Sequence, residues 1–311
     1  MPKVALLEYF APEMRESLSA LAGPDLDLVF PASNDDADRA AALDGASYAV
    51  VRAVKMPPAL LEAGRDLVMI HQWGTGTDGI PVAEARARGL IVARSPGVNA
   101  PSVADLTLAL MLACLRRVPQ GDARIRAGGW REPDLYETGR DLTGASVGLV
   151  GYGAIAREVE KRLAGFGCEV LYSRASGGPG ATPFDEMLGR VDILSLHAPS
   201  TPATRHLLNA DTLARMRRGA VIVNTARGDL IDEAALVAAL RSGQIGAAGL
   251  DAFDPEPIPA GAAILSAPNT VLSAHAGGAT RDNFARIVRH WSANIRAHAA
   301  GAPLDPAFLV G

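Results

Sequence analysis

Three polar segments in the second half of the chain could act together on a carbonyl group. They are the stretches 224–229 (AsnThrAlaArgGlyAsp), 254–257 (AspProGluPro) and 273–278 (SerAlaHisAlaGlyGly), and each follows a short apolar run. The planar guanidinium of Arg227 can grip a carboxylate through two parallel hydrogen bonds and polarise an adjacent carbonyl. His275 can trade a proton with the oxygen of that carbonyl, and a carboxylate such as Glu256 at its other ring nitrogen would fix the tautomer and favour the imidazolium. These are the tools of a reductase. Taken singly, each has an ordinary structural explanation: Arg227 as a loop cap, Glu256 as a surface acid between prolines, His275 as a satisfied histidine at a strand end. Their joint order behind a dinucleotide-type turn favours the catalytic reading.

That turn is the stretch 147–156, where Gly151, Gly153 and Ala156 form a GxGxxA pattern between an apolar run and an Ala/Glu/Arg-rich segment. Gly151 permits a tight turn, Gly153 lets the backbone approach a pyrophosphate, and the small Ala156 lets helix and strand pack closely while helix N–H groups face the anion. A bare strand-to-helix turn is the alternative, and the strand, helix and following strand in register favour dinucleotide binding over it. The discriminating position, roughly 20 residues on, reads Val170-Leu-Tyr-Ser-Arg174 and carries no carboxylate. Ser173 and Arg174 suit a 2′-phosphate, so NADP(H) is preferred; the alternative is a solvated Arg174 and a site that takes NAD as well.

These residues need a scaffold that brings distant loops to one edge. Apolar runs at 4–7, 26–30, 48–54, 67–70 and 90–92 alternate with helix-like stretches opened by Pro12, Pro57 and Pro81, and a second series follows at 147–150, 170–172, 193–196, 221–223, 248–250 and 271–272. Runs without hairpin turns imply parallel sheets with helical crossovers, hence two doubly wound α/β units. Ligands of open α/β sheets bind outside the carboxyl ends of the strands, where Arg227, Glu256 and His275 can converge. An apolar helix over about 102–117 reads as wedged between the units, and a long helix over 280–299 could return the chain to the first. A split first domain is expected, 1–98 plus 284–311, with a dinucleotide-binding domain at 99–283.

The 311 residues, 49% hydrophobic and 21% charged, can build a large core. A net charge of -4 provides no positive field for nucleic acid or an anionic membrane. The longest apolar stretch, at 106–115, is far short of the ~20 residues that span a bilayer, and no signal peptide is expected. Cys114 and Cys168 lack metal-ligand spacing and read as small core residues of a cytoplasmic protein. His71, His206, His290 and His298 show no ligand spacing, so no metal is expected. Ser95 and Ser273 lack the elbow of an acyl-transfer serine. The arginines at 86–88 and 215–218 read as solvated helix ends.

Over essentially its full length the chain resembles the D-isomer-specific 2-hydroxyacid dehydrogenases. The segments that carry the resemblance are GlyTyrGlyAlaIleAla at 151–156, ValAsnThrAlaArgGlyAsp at 223–229, GlyLeuAspAlaPheAspProGluPro at 249–257 and SerAlaHisAlaGlyGly at 273–278. TrpGlyThrGlyThrAsp at 73–78 is similar to the family's glycine-rich substrate loop, and 96–105 to its hinge. The resemblance implies a Rossmann domain inserted in a flavodoxin-like substrate domain. It implies that Arg227, Thr75 and Gly76 bind the substrate carboxylate, that His275 is the proton donor and acceptor, and that Glu256 orients it. It places Gly151, Tyr152, Gly153, Ala154, Ile155, Ser173, Arg174, His197, Ala198, Pro199, Thr204, Thr225, Ala226, Asp251 and Gly277 around the cofactor, with Asp251 near the nicotinamide carboxamide. Trp73 could narrow the substrate pocket, although core packing explains it better.

The expectation is therefore a homodimeric enzyme moving hydride between NADP(H), or NAD(H), and a small 2-oxo or 2-hydroxy acid in the cleft between the domains. Glyoxylate or hydroxypyruvate reductase is the favoured subtype, and Glu256 speaks against the family's formate dehydrogenases. The rivals are a phosphite- or phosphoglycerate-type dehydrogenase on the same scaffold and a non-catalytic, dinucleotide-sensing corepressor.

Overall fold

The computed structural model describes residues 1–131 and 134–310. Two compact units emerge: Met1–Asn99 together with the chain from Arg281 onward, and Ala100–Thr280.

The first unit comprises β1 (Lys3–Leu6), α1 (Pro12–Ala22), β2 (Asp27–Val29), α2 (Asp36–Leu43), β3 (Tyr48–Val51), α3 (Pro58–Ala63), β4 (Met69–Gln72), α4 (Val82–Ala87) and β5 (Ile91–Ala93). Prolines open the helices because a residue there has no intrahelical N–H bond to lose: Pro12 begins α1, Pro58 begins α3, and Pro81 precedes α4. The sheet is parallel, in the order β2-β1-β3-β4-β5. Alternate strand residues feed opposite faces. Val4, Leu6, Val50 and Met69 join one cluster, while Ala5, Leu7, Val51 and Ile70 join the other.

The second unit comprises α5 (Ala100–Arg116), α6 (Val118–Arg126), α7 (Leu135–Thr138), β6 (Ser146–Val150), α8 (Ala154–Leu163), β7 (Glu169–Ser173), α9 (Phe184–Leu188), β8 (Ile193–Leu196), α10 (Ala210–Ala214), β9 (Ala220–Asn224), α11 (Glu233–Ser242), β10 (Ile245–Leu250) and β11 (Thr270–Leu272). Its parallel sheet runs β11-β10-β9-β8-β6-β7, so the order reverses at β6 and β8. The strands β6, β8 and β9 are buried throughout, as a sheet covered on both faces requires. Met111 and Cys114 of α5 lie in the core beside Val223 and Ala247. A Cβ on Gly249 would stand 2.9 Å from the Leu110 Cβ, so glycine in β10 is what admits α5 so closely.

The last helix, α12 (Arg281–Ala299), belongs to the first unit. It buries Ile287, Val288, Trp291 and Ile295, and Arg296 bonds both carboxylate oxygens of Asp25 beyond α1, at 2.5 and 2.7 Å. Trp73 is a core residue, its ring against Phe10, Phe284 and Trp291. Of the arginines expected to be solvated, Arg86 is exposed, and Arg88, Arg215 and Arg217 are exposed and also bonded at the surface. Arg88 donates to the Leu61 and Gly64 carbonyls, Arg215 to Asp185 and Arg217 to Asp192. Their long side chains reach across the surface to acceptors that a linear reading cannot place.

Candidate active site

The dinucleotide-type turn leaves β6 at the point where strand order reverses, the usual ligand position of such sheets. Gly151 has φ +88°, and a Cβ there would lie 2.6 Å from the Ala198 nitrogen and 2.7 Å from the His197 carbonyl carbon. Only glycine allows that conformation and that approach together. Its N–H donates to the Ser173 carbonyl at 2.8 Å, which ties the turn to the end of β7. Gly153 behaves oppositely. Nothing lies within 4 Å of where its Cβ would be, just before α8 begins at Ala154. A side chain would fill that space, whereas glycine leaves room for a pyrophosphate before the free N–H groups of the helix. Ala156 is fully buried. The residues present thus fit a dinucleotide.

Around this turn, Ser173 is half-buried and Arg174 exposed, and no carboxylate stands between 170 and 176. His197 follows β8 and pairs its Nε2 with the Ser195 hydroxyl at 2.9 Å. Burial pushes its imidazole down to about 4, so it is neutral at physiological pH. Beyond it, the Thr204 hydroxyl donates to the Pro199 carbonyl at 2.7 Å and accepts from the Thr201 N–H at 2.8 Å, which fixes the course of the 199–204 loop.

The loops bearing Arg227, Glu256 and His275 leave three adjacent strands, β9, β10 and β11, whose ends are in register at Asn224, Leu250 and Leu272. Backbone bonds tie the exits together: Asp251 N–H to the Asn224 carbonyl, Ser273 N–H to the Leu250 carbonyl and His275 N–H to the Asp251 carbonyl, each 2.9 Å. Fully buried Asn224 shapes the arginine loop, its Nδ2 donating to the Arg227 carbonyl at 2.8 Å and its Oδ1 accepting from the Ala226 N–H at 3.0 Å. The Thr225 hydroxyl meets that of Thr107 on α5 at 3.0 Å. Arg227 directs Nη1 to the Ala226 carbonyl at 2.8 Å. At Gly228 the arginine loop abuts the glutamate loop so tightly that a Cβ would stand 2.0 Å from the Phe253 carbonyl carbon.

His275 Nδ1 lies 3.0 and 2.9 Å from the two carboxylate oxygens of Glu256. Glu256 Oε1 also accepts from the Phe253 N–H at 3.0 Å, which holds the carboxylate in place. His275 sits in the left-handed region at φ +49°, a conformation that costs a non-glycine residue about 1–2 kcal/mol. The turn is held there by Asp251, which is 2% exposed. Its Oδ1 accepts from the Ser273 hydroxyl at 2.6 Å and the Ala276 N–H at 2.7 Å, and its Oδ2 from the Gly277 N–H at 2.8 Å.

Thr75 and Gly76 belong to the first unit, on the loop that follows β4. The Thr75 hydroxyl donates to the carbonyl of buried Ser95 at 3.2 Å, and the Ser95 N–H donates to the Gly74 carbonyl at 2.8 Å, so this loop is pinned from beneath.

Residues 108–277 match the model of the D-isomer specific 2-hydroxyacid dehydrogenase NAD binding domain, more than half of the chain. The hydroxypyruvate reductase of Thermotoga maritima is 38% identical over 247 residues, 76% of this chain and 80% of that protein. The chain belongs to the D-isomer specific 2-hydroxyacid dehydrogenases. It is an enzyme of that family and takes a nicotinamide dinucleotide. The NADPH-dependent glyoxylate/hydroxypyruvate reductase of Sinorhizobium meliloti superposes with a TM-score of 0.84 at 31% identity, covering 100% of this chain and 98% of the other. A D-3-phosphoglycerate dehydrogenase of Methanocaldococcus jannaschii is 36% identical over 247 residues, 76% of this chain and 47% of that one.

Three residues inside the quoted motif segments shape the dehydrogenase site in ways those segments do not themselves announce: Asn224, Gly228, and Ser273 as a bonding partner of Asp251. Asn224 had a usable signal, a polar residue closing the apolar run 221–223 immediately before the arginine loop. Gly228 had none, because its requirement comes from a loop more than twenty residues away.

Proposed function

We propose that this enzyme reduces a small 2-oxo acid of the glyoxylate or hydroxypyruvate type to the D-2-hydroxy acid, with NADPH preferred over NADH. The observation that carries the reading is the bond of His275 Nδ1 to the anchored Glu256 carboxylate, on the same sheet edge as the Arg227 loop. With Nδ1 engaged, Nε2 is the ring atom left to exchange a proton with the substrate oxygen. Arg227 grips the substrate carboxylate and polarises the neighbouring carbonyl. Thr75 and Gly76 are assigned the same carboxylate as backbone donors. When bound, the reduced cofactor supplies the hydride. Tyr152, Ala154 and Ile155 of the phosphate turn, Ala198 and Pro199 beyond β8, Thr225 and Ala226, and Gly277 are assigned to its binding, while Asp251 holds the His275 turn beside the nicotinamide position.

NADPH preference rests on Ser173 and Arg174 at the end of β7 and the lack of a carboxylate there. The first unit takes the role of substrate domain and the second that of cofactor domain. A homodimer is proposed through the apolar side chains of Val118, Ile125, Trp130 and Tyr136, which leave 57, 55, 73 and 91% of their surfaces exposed. The free thiols of Cys114 and Cys168 support a cytoplasmic setting. The phosphoglycerate dehydrogenases among the relatives favour a second reading, oxidation of a phosphorylated 2-hydroxy acid.

A spectrophotometric panel of glyoxylate, hydroxypyruvate, phenylpyruvate, 3-phosphoglycerate and phosphite with each cofactor separates these readings. Turnover of glyoxylate or hydroxypyruvate, fastest with NADPH, is expected. Turnover of 3-phosphoglycerate or phosphite alone would displace the proposal. Arg174→Asp should shift preference toward NADH, and unchanged NADPH affinity in that variant would overturn the cofactor assignment.

A further inference from the structure

We infer that Tyr172 is a positioning residue for cofactor discrimination: its hydroxyl moors the glycine-rich loop 177–180 beside Arg174. The inference rests on the reading that Arg174 receives the 2′-phosphate.

The loop is conformationally loose by composition. Gly177, Gly178 and Gly180 all have positive φ, at +61°, +133° and +79°, and glycine at such positions leaves an unfixed chain much freedom. Arg174 is exposed and packs along this loop, its Cδ and Nη1 each 4.0 Å from where a Gly178 Cβ would be. The loop is fastened at few points. The Gly177 N–H donates to the Arg174 carbonyl at 3.0 Å, the Thr182 N–H donates to the Tyr172 carbonyl at 2.8 Å, and the Tyr172 hydroxyl donates to the Pro179 carbonyl at the far side of the loop. Of these three bonds, the last is made by a side chain.

Tyr172 is itself held by the phosphate turn. Its ring stacks on that of Tyr152, with centroids 3.9 Å apart and planes at 16°. Tyr152, between the two turn glycines, donates its own hydroxyl to Glu160 of α8 and lies under the Arg157 guanidinium, 5.5 Å from the ring centroid. A continuous path of contacts therefore links the pyrophosphate turn to the loop that seats Arg174. An arginine held against a moored loop loses less freedom on gripping a phosphate than one on a free loop. NADH carries no 2′-phosphate and gains nothing from this arrangement.

Tyr172→Phe removes the hydroxyl and keeps the stacked ring. The expected result is a KM for NADPH raised about fivefold, the worth of one hydrogen bond, with kcat and the KM for NADH unchanged. Combined with Arg174→Ala, the substitution should have no further effect on the NADPH KM, because the moored partner is gone. An unchanged NADPH-to-NADH ratio of kcat/KM in Tyr172→Phe overturns the inference. So does an equal rise in both KM values, or an effect that persists beside Arg174→Ala. If Arg174→Ala alone leaves NADPH binding intact, the phosphate reading itself is overturned, which separates its failure from that of the Tyr172 role.

Discussion

Gly228→Ala disturbs the site while leaving every reactive group chemically intact. The added methyl would stand 2.0 Å from the Phe253 carbonyl carbon and 2.3 Å from its oxygen, against the 3.4 Å at which ordinary contact begins. The arginine and glutamate loops would have to part by about 1.4 Å, and no side-chain rotation relieves a clash with backbone. Because the Phe253 N–H holds Glu256 Oε1, the displacement passes to the partner of His275. A misplacement of ~1 Å in a reacting site costs on the order of 100-fold in rate, and overpacking of this kind costs about 1–3 kcal/mol. The assays are kcat for glyoxylate reduction, thermal unfolding, and NADPH binding by fluorescence. We expect kcat to fall by about two orders of magnitude and Tm by several degrees, with cofactor binding weakened less than kcat, because the phosphate turn from Gly151 to Ala156 lies outside the clash while Thr225 and Ala226 lie on the displaced loop. Wild-type kcat would refute the close approach of the loops and the reasoning built on it.

Asp251→Asn leaves one acceptor oxygen for the Ser273, Ala276 and Gly277 donors. It should destabilise the second unit by about 1–3 kcal/mol in urea titrations and lower kcat, and unchanged stability would contradict the bonding described. The fully buried His71 imidazole is pushed down to about 3, chiefly by burial. The unfolded chain takes up this proton near the ordinary 6.5 and the folded chain does not, so stability present above 6.5 is lost as pH falls toward 3. At ~1.4 kcal/mol per pH unit the first unit should lose roughly 2 kcal/mol between pH 6.5 and 5, and His71→Gln should flatten that slope in denaturation series. Burial pushes the Cys114 thiol up to about 12, so alkylation of the folded protein near pH 8, read by mass spectrometry, should mark Cys168 first. Rapid labelling of Cys114 would deny its core position.

Much of this architecture was legible in the sequence because backbone geometry dictates residue type. Eleven apolar runs correspond to the eleven strands of the described residues, with shifts of a few positions. The fourth strand runs Met69–Gln72 rather than 67–70, since pairing of Tyr48 with Met69 sets its start. Gly151 could be singled out because a positive φ beside a neighbouring strand admits little else. The order of Arg227, Glu256 and His275 behind successive strands was readable for the same reason. Contacts between distant segments were not. The three bonds at Asp251, the moulding of the arginine loop by Asn224 and the fit of Gly228 against Phe253 depend on how strand exits meet in space. The helix α6 escaped notice because it buries no residue and so has no apolar stripe to read.

The central claim is that His275 and Arg227 act on one substrate beside a bound nicotinamide. Steady-state glyoxylate reduction with NADPH by the wild type, His275→Ala and Arg227→Ala, with cofactor affinity measured in parallel, tests it most directly. His275→Ala should lose kcat by about 100-fold or more and Arg227→Ala both kcat and substrate binding, while both variants hold NADPH as the wild type does. Comparable turnover by all three proteins would contradict it.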